Sequence, residues 1–230
     1  MPAHRFFLEN FSSSQLAGDE FHHLKTVMRA RVGDTIELVD GKGTMATATV
    51  TSLHSDHATF DITHKRHVPP PSNSIILAQG FTRPALLDWI IEKGTELGAT
   101  EFWLFPGEQS EKKELTPNQL ARLHTLTISA LKQSGRLYLP KLEIKPLLSQ
   151  WKKPTGTLLF GALAPDAKPL TPTDIAQTII VIGPEKGFSK NEHTFLEKDL
   201  QATGVKLNSN ILRSETAALC ALSLLCCPKN

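Results

Sequence analysis

The sequence is poor in cysteine and has no long apolar run, and each shortage excludes a class of protein. Only three cysteines occur in 230 residues, all within the last eleven positions, so a disulfide framework is excluded. The longest uncharged stretch, 68–82, has 15 residues and three prolines, whereas a membrane-spanning helix needs about 20 apolar residues. Arg5 and Glu9 lie where a signal peptide would be apolar. We therefore expect a cytoplasmic protein with no membrane partner.

Metal sites and several common catalytic motifs are missing as well. His22 and His23 are adjacent, so their side chains point about 100° apart on a helix, and no third ligand accompanies them. The cysteines Cys220, Cys226 and Cys227 match no zinc spacing and lie in one apolar segment, which predicts burial in the core. The sequence also lacks a Gly-x-Gly-x-x-Gly, a phosphate loop and a Gly-x-Ser-x-Gly elbow. We expect no metal, and dinucleotide, nucleotide-hydrolase and serine-hydrolase functions are disfavoured.

Composition changes near residue 70. Residues 1–72 contain 7 Lys+Arg and 8 Asp+Glu, a net charge of −1, and the remaining residues contain 18 and 15, a net charge of +3. Three consecutive prolines, at 69–71, stand at the change, and a proline run cannot continue a helix or donate to a sheet. We therefore predict a first domain of residues 1–70 and a second domain of residues 71–230.

Short β-runs dominate the first domain. Residues Thr35–Val39 and 44–51 flank the sequence Asp-Gly-Lys-Gly at 40–43, whose glycines provide the positive φ of a tight hairpin. A third β-run covers 58–63, and a helix is predicted around 18–28. This pattern predicts a small β-barrel of roughly 65 to 70 residues.

Strands and helices alternate in the second domain. The predicted β-runs are 75–79, 102–105, 157–160, 178–182 and 205–207. One helix is predicted from Pro84 to Gly98, and a second from a capping box at Thr116 to about residue 133. A third begins at a capping box at Ser189, and a terminal helix begins at Ser214. The alternation predicts an α/β domain with a mainly parallel sheet and helices on both faces.

Two loops of this domain are candidates for a binding site, because open α/β sheets bind ligands beyond the carboxyl ends of their strands. Residues 182–188 read IGPEKGF and precede the helix capped by Ser189, so their N–H groups lie beside a helix N-terminus. Residues 207–217 read LNSNILRSETA and lead into the terminal helix. The alternative is that both are ordinary turns, with Arg213 and Glu215 forming a surface ion pair.

Five segments resemble the RsmE family, SPOUT-class methyltransferases that modify uridine in small-subunit ribosomal RNA. The family's GPEGGF loop is similar to IGPEKGFSKNE at 182–192, and its ILRxETA motif, the most specific match, is similar to ILRSETA at 211–217. Three further family segments resemble HHLKTVMRARVGD at 22–34, EKGTELGAT at 92–100 and KQSGR at 132–136. The five segments stand in the family's order along most of the chain.

The resemblance implies a trefoil-knotted SPOUT α/β methyltransferase domain preceded by a PUA-like RNA-binding β-barrel. It implies S-adenosylmethionine as methyl donor, ring nitrogen 3 of a uridine in 16S ribosomal RNA of the small ribosomal subunit as acceptor, and a homodimer. In this class the donor lies among three loops. By position, the donor-binding residues here are Phe160, Gly161, Ala162, Leu163, Ile182, Gly183, Pro184, Glu185, Gly187, Leu207, Ile211, Leu212 and Arg213.

The same resemblance provides candidates for catalysis and RNA binding. Arg213 is the candidate for stabilising the uracil anion that forms when nitrogen 3 loses its proton, because its charge is permanent and its planar fork can bond a carbonyl oxygen. Glu185 is the weaker catalytic candidate, as a base, and the alternative role for it is capping of backbone donors. RNA contacts are predicted at Lys25, Arg29 and Arg31 in the first domain and at Lys132 and Arg136 in the second.

Three single positions depart from the family pattern, and GEQSEKK at 107–113 replaces the family's ERS-type segment. Lys186 replaces the middle glycine of GPEGGF, and Asn208 and Asn210 replace a glycine and an arginine before ILR. An alternative function is therefore an RNA-binding ribosome-assembly protein of the same fold with weakened or lost methyl transfer. A further alternative is a methyltransferase of the same class that acts on transfer RNA or on another ribosomal position.

Overall fold

Two β-sheets, one of five strands and one of seven, organise this chain. The computed structural model describes residues 5–171 and 176–227. The chain forms two units, Met1–Pro70 with Ile128–Leu139 and Pro71–Thr127 with Pro140–Asn230. The first division falls within the proline run at 69–71.

The first unit is built on an antiparallel hairpin that is extended to five strands. Its strands are β1 (Arg5–Phe7), β2 (Gln15–Ala17), β3 (Thr35–Val39), β4 (Thr44–Leu53) and β5 (His57–His67). They are ordered β1-β3-β4-β5-β2, with β1 parallel to β3 and the other pairs antiparallel. The helix α1 (Gly18–His22) continues into a π-helical turn at His23–Val27. These elements confirm the predicted hairpin, the third β-run and the helix near 18–28.

The turn between β3 and β4 shows why this hairpin forms. The Asp40 carboxylate accepts hydrogen bonds from the N–H groups of Lys42 at 2.7 Å and Thr44 at 2.9 Å. Gly41 and Gly43 have φ values of +68° and +97°, a region that other L-residues rarely adopt. The turn chemistry therefore fixes the register of β4 against β3.

The segment 128–139 belongs to the first unit although it is distant in sequence. The Lys132 ammonium forms an ion pair with Glu20 at 2.5 Å, and the Tyr138 hydroxyl donates to the Val68 carbonyl at 2.9 Å. The sequence predicts this segment in the second domain, because helical periodicity shows that a helix is present but not which elements its last turns contact.

The second unit contains a seven-stranded parallel sheet. Its strands are β6 (Ser74–Gly80), β7 (Glu101–Phe105), β8 (Lys141–Ile144), β9 (Thr157–Gly161), β10 (Lys168–Pro169), β11 (Gln177–Ile182) and β12 (Thr203–Lys206). They are ordered β10-β12-β9-β11-β6-β7-β8, and every pair is parallel. Its helices are α2 (Pro84–Leu97), α3 (Pro117–Ser134), α4 (Lys190–Thr194) and α5 (Ser214–Leu225). Only the part of α3 up to Thr127 belongs to this unit. A π-helical turn, Phe195–Asp199, extends α4, and a 3₁₀ turn covers Leu148–Gln150.

Both faces of this sheet are buried, as is typical of a parallel sheet. Along β6, Ile75 and Leu77 contribute to one core, and Ile76 and Ala78 contribute to the other. The first core includes the buried sides of α2 and α5, and the second includes the π-helical turn after α4. The predicted α/β domain with a mainly parallel sheet and helices on both faces is confirmed.

The predicted burial of the three cysteines is wrong. Cys220 and Cys226 are half-buried, and Cys227 is exposed. The buried apolar stripe of α5 consists instead of Ala218, Ala221, Leu222 and Leu225. Cys220 and Cys227 fall outside that stripe, because a helix that packs mainly on one side buries only every third or fourth residue. Cys226, four residues after Leu222, packs against the same core without being fully buried.

Candidate active site

A cavity of about 550 Å³ opens where β9, β11 and β12 end. Its walls are the end of β9 with the residues that follow, the loop after β11, and the loop between β12 and α5. The predicted donor-binding residues that line it are Gly161, Ala162, Leu163, Ile182, Gly183, Pro184, Glu185, Gly187, Leu207, Ile211 and Leu212. The volume lies within the range of about 300 to 1,000 Å³ that is usual for small-molecule sites.

Two predicted donor-binding residues do not line the cavity. Phe160 is fully buried and packs edge-to-face against Phe188 and His193, with ring centroids 6.1 and 5.1 Å away. Arg213 is the exposed N-cap residue of α5, and its carbonyl accepts a hydrogen bond from the Ala217 N–H at 2.8 Å. In the described part of the chain, the Arg213 guanidinium has no ion-pair or hydrogen-bond partner.

The loop after β11 is folded tightly by glycine and by a helix cap. The Gly187 N–H donates to the Pro184 carbonyl at 2.8 Å, and Gly187 has a φ of +75°. A Cβ atom on Gly183 would lie 3.0 Å from the carbonyl carbon of Gly187, so the turn approaches itself too closely for a side chain. The Ser189 hydroxyl accepts from the Glu192 N–H, and the Glu192 carboxylate accepts from the Ser189 N–H. The predicted capping box is confirmed, and the loop has little freedom to rearrange.

A buried amide supports this loop. Gln79, near the end of β6, is fully buried. Its Nε2 atom lies 2.9 Å from the Gly80 carbonyl, 3.3 Å from the Gly183 carbonyl and 3.0 Å from the Ser214 hydroxyl. That hydroxyl itself donates to the Gly183 carbonyl at 2.6 Å. Gln79 therefore joins the loop after β11 to the first residue of α5. Its Oε1 atom is buried and, among the described residues, has no hydrogen-bond partner.

The Glu185 carboxylate, in the wall of the cavity, is engaged by Arg83. One oxygen accepts hydrogen bonds from the Arg83 main-chain N–H at 3.1 Å and from the Arg83 Nε at 3.2 Å. Partial burial raises the pKa of the Glu185 carboxyl, but hydrogen bonds from the Arg83 N–H, from its own N–H and from the Arg83 guanidinium lower that pKa by more. The pKa therefore lies below the ordinary value of 4.5, and the group is ionised at neutral pH. This arrangement favours the role in which the Glu185 carboxylate accepts hydrogen bonds from backbone donors over the role of a base that removes a proton from the substrate.

Two family models match the chain. One, described as an RNA methyltransferase domain, covers residues 69–226, and the other, described as an RNA methyltransferase PUA domain, covers residues 16–63. Ribosomal RNA small subunit methyltransferase E of Rickettsia conorii is 26% identical over 92% of this chain and 88% of the relative. The Bacillus subtilis protein of the same name is 28% identical over 94% of this chain and 90% of its own length. The chain belongs to the RsmE family of RNA methyltransferases.

Solved structures share the fold of this RsmE-family chain. The crystal structure of ribosomal RNA small subunit methyltransferase E from Neisseria gonorrhoeae, bound to S-adenosyl methionine, matches with a TM-score of 0.84 at 28% identity. The match covers 96% of this chain and 95% of that chain. A Legionella pneumophila methyltransferase, 23% identical, has the same fold, with a TM-score of 0.87 over 97% of this chain and 96% of that chain. The predicted family, the α/β methyltransferase domain and the PUA-like domain are thereby confirmed.

Three of the predicted RNA-binding residues of this RsmE-family chain are exposed on the first unit. They are Lys25, Arg29 and Arg31. The Lys25 ammonium donates to the His54 carbonyl at 3.1 Å, and Arg29 adopts a φ of +53°, which is uncommon for a residue other than glycine. This segment therefore presents basic side chains to solvent from a defined backbone.

The other two predicted RNA-binding residues are more enclosed. The structure groups Lys132 and Arg136 with the first unit rather than with the second. The Lys132 side chain is 16% exposed and paired with Glu20, and Arg136 is half-buried and has a partner of its own. Lys132 is therefore held in a largely desolvated ion pair, and its removal would leave the Glu20 carboxylate without its cation.

The cavity lining also contains residues outside the predicted donor-binding set. They are Ala164, Lys186, Phe188, His193, Asn208, Asn210, Ser214 and Ala217. The Asn208 Oδ1 accepts from the Asn210 N–H at 3.0 Å, so an Asx turn orders the loop at two of the departures from the family pattern. The sequence signal for His193 was its position four residues after the Ser189 cap, which places it on the helix that follows the loop after β11. No local signal pointed to Gln79 or Arg83, whose partners are distant in sequence.

The described ranges, 5–171 and 176–227, contain neither a membrane-spanning helix nor a metal-binding group of side chains. No helix there is long and apolar enough to cross a membrane. In the same residues, no group of three or more His, Cys, Asp or Glu side chains is arranged to hold a metal ion.

Proposed function

We propose that this chain transfers the methyl group of S-adenosylmethionine to ring nitrogen 3 of a specific uridine in 16S ribosomal RNA of the small ribosomal subunit. The observation that carries the proposal is the cavity, because the segments 182–192 and 211–217 that resemble the family motifs form two of its walls. The Neisseria gonorrhoeae relative has this fold at 28% identity and is bound to S-adenosyl methionine. The Rickettsia and Bacillus relatives are named as methyltransferases of small-subunit ribosomal RNA.

The residues of the cavity fit such a donor. A Cβ atom on Gly161 would lie 3.3 Å from the Ile182 side chain and 3.4 Å from the Leu207 side chain, so glycine keeps this corner of the wall open. The apolar side chains of Leu207 and Leu212 suit a purine, and the N–H and C=O groups of Gly183 and its neighbours suit polar edges. When bound, S-adenosylmethionine supplies an electrophilic methyl group carried on a sulfonium, which requires no metal.

The chain itself contributes positioning and charge. Uracil nitrogen 3 carries a proton and becomes a nucleophile when that proton passes to solvent, which places negative charge on the neighbouring carbonyl oxygens. Nitrogen 3 then bonds the methyl carbon as the carbon–sulfur bond breaks, and S-adenosylhomocysteine leaves as a neutral thioether. Arg213 follows Leu212, a residue of the cavity wall, and its guanidinium is exposed. We assign Arg213 to the stabilisation of that developing charge, because a fixed cation at the reacting base lowers the barrier without rearrangement. Glu185 serves the site through its bonds to Arg83.

Local clusters of basic residues bind the RNA, because the net charge of the whole chain is only +2. The exposed Lys25, Arg29 and Arg31 are the strongest contributors to this role in the first unit. Arg136 and Lys132 complete the predicted set, with Lys132 already engaged by Glu20.

Transfer of labelled methyl groups by the purified protein tests the proposal. The acceptors are small ribosomal subunits, free 16S ribosomal RNA and transfer RNA, each digested to nucleosides and analysed by mass spectrometry. We expect 3-methyluridine in 16S ribosomal RNA and no label in transfer RNA. Label confined to transfer RNA, to a ring carbon or to ribose would contradict the proposed acceptor. RNA binding without transfer to any acceptor would favour the ribosome-assembly alternative.

A further inference from the structure

Arg83 contacts the wall of the cavity from the start of α2. It is the N-cap residue of that helix, and both its main-chain N–H and its Nε atom donate to one Glu185 oxygen, at 3.1 and 3.2 Å. The Arg83 side chain is nevertheless 70% exposed, whereas that of Glu185 is 28% exposed. The carboxylate therefore holds the guanidinium by one edge and leaves the rest of it in water.

The remaining edge of that guanidinium is suited to an anion. In the described ranges 5–171 and 176–227, no protein group accepts a hydrogen bond from either terminal nitrogen of Arg83. Those two nitrogens carry most of the donor hydrogens of the guanidinium. An ion pair through Nε orients the planar fork in advance, so less side-chain freedom is lost when a ligand binds. Such a fork bonds phosphate oxygens in a bidentate manner.

The cavity whose wall contains Glu185 favours a nucleotide chain over a simple ion. Leu163 and Ile211 line the cavity and are 75% and 81% exposed, so apolar surface as well as charge faces an incoming ligand. The neighbouring Lys186 ammonium is 3.8 Å from the exposed Glu111 carboxylate, and water weakens such a pair. A cationic group held at the cavity wall by Glu185, together with uncovered apolar side chains in the same lining, matches an RNA strand, which presents phosphates and bases together.

We propose that Arg83 binds a backbone phosphate of the RNA strand that enters the cavity, and that Glu185 is the positioning residue that holds Arg83 for this contact. The inference rests on the proposed function, since it takes RNA as the substrate of this cavity. It accounts for a carboxylate in the wall of a site that admits RNA, because Arg83 offsets its charge. A merely structural Arg83 would affect donor binding and stability rather than RNA binding.

The test compares Arg83→Ala and Arg83→Lys with the control Arg122→Ala. Arg122 is 66% exposed and is also paired through Nε to one carboxylate, that of Asp88, but it lies on α3 outside the cavity lining. Filter binding to a 16S ribosomal RNA transcript is measured over a range of salt, and calorimetry measures S-adenosylmethionine binding. We expect Arg83→Ala to weaken RNA binding about tenfold. The slope of log affinity against log salt should fall by about 0.7 to 0.9, the value of one phosphate contact.

Further variants separate the phosphate contact from a structural role. Arg83→Lys should keep the salt slope but not the full affinity, because lysine lacks the fork. Glu185→Ala removes the acceptor of both Arg83 hydrogen bonds, so Arg83 keeps its charge but is no longer held. RNA binding should weaken by a smaller factor, although a negative charge is also lost, and the slope should stay in place.

Several outcomes would overturn the inference. One is an unchanged RNA affinity in Arg83→Ala, and another is an equal loss of RNA affinity in Arg122→Ala. A third is a loss of RNA affinity in Arg83→Ala that is accompanied by a loss of donor affinity and a lower melting temperature. A wild-type protein that does not bind the transcript would also overturn it. These measurements need no methyl transfer, so a wild-type protein that binds RNA in this way without methylating it would count against the proposed function alone.

Discussion

Lys186 shows how the loop after β11 accommodates a departure from the family pattern. The family has glycine at this position, which raises the question of whether the backbone there requires a positive φ. Gly187 has a φ of +75°, but Lys186 is not among the described residues with φ above zero. The Lys186 side chain is 63% exposed and lies near Glu111. Lysine therefore stands in this loop without backbone strain.

We expect Lys186→Gly to lower the free energy of unfolding by about 0.5 to 1 kcal/mol, because glycine adds freedom to the unfolded chain and relieves no strain. Donor affinity should change less than about twofold, since an exposed ion pair contributes little. Gly187→Ala is the control, because alanine at positive φ costs about 1 kcal/mol or more although no atom lies within 4 Å of the added Cβ. Urea unfolding and calorimetric titration measure both effects. Clearly tighter donor binding by Lys186→Gly would show that lysine does strain the loop.

Arg213 separates a backbone role from a side-chain role at one residue. Its carbonyl belongs to the first turn of α5, whereas its guanidinium has no partner among the described residues. We therefore expect Arg213→Ala to leave the unfolding free energy within about 0.5 kcal/mol of wild type. Turnover should fall at least about tenfold, which corresponds to about 1.4 kcal/mol of transition-state stabilisation.

Single-turnover kinetics with saturating donor measure this effect, and thermal melting controls for folding. Arg213→Lys should restore only part of the rate, because an ammonium lacks the planar fork. Unchanged turnover in Arg213→Ala would assign the residue to structure alone.

At the scale of elements, Gln79 connects three chain segments beneath the cavity. Methionine has a volume similar to that of glutamine but cannot donate a hydrogen bond. We expect Gln79→Met to destabilise the protein by about 1 to 3 kcal/mol, because the hydrogen bonds from the Gln79 side chain to the Gly183 carbonyl and the Ser214 hydroxyl are lost. The loss should lie at the lower end of that range, since methionine also removes the unpartnered Oε1 atom. Donor affinity should fall with stability, because Gly183 and Ser214 line the cavity.

Urea unfolding and S-adenosylmethionine titration measure these effects, with Gln133→Met on the exposed side of α3 as the control. A stability loss with wild-type donor affinity would show that the amide supports the fold but not the site.

Element boundaries with a strong local signal were predictable. The Thr116 hydroxyl accepts from the Gln119 N–H at 3.3 Å, as the capping box requires, and α3 begins at the next residue. Gly98 ends α2 with a φ of +116°, a conformation that favours glycine. In each case one side chain, or the lack of one in glycine, determines where the helix begins or ends within a few residues. Such ends can be read without knowledge of the rest of the fold.

Elements and contacts that depend on distant residues were not predictable. The strands β1, β2, β8 and β10 have two to four residues each and form only because a partner strand lies beside them. Arg83 and Glu185 are 102 positions apart, and Gln79 and Ser214 are 135 apart. The motifs therefore located the cavity walls, whereas the groups that hold those walls became visible only in the structure.

At the scale of the whole molecule, the single chain leaves apolar surface uncovered on two helices that pack together. The buried stripe of α5 packs into the core that it shares with α2. Leu219 and Leu224 of α5 remain half-buried, and Trp89 of α2 is 49% exposed. Burial of such side chains against a second surface would be favourable. The resemblance to the RsmE family implies a homodimer, and these side chains are candidates for its interface.

We expect light scattering at micromolar concentration to give twice the mass of one chain. Leu219→Glu should shift the protein to monomer, because burying a carboxylate in an apolar interface carries a large desolvation cost. Asn118→Glu adds the same charge on the exposed side of α3 and should leave the mass unchanged. Melting curves of both variants distinguish loss of the dimer from loss of the fold. A wild-type protein with the mass of one chain would mean that α5 needs no second copy to cover it.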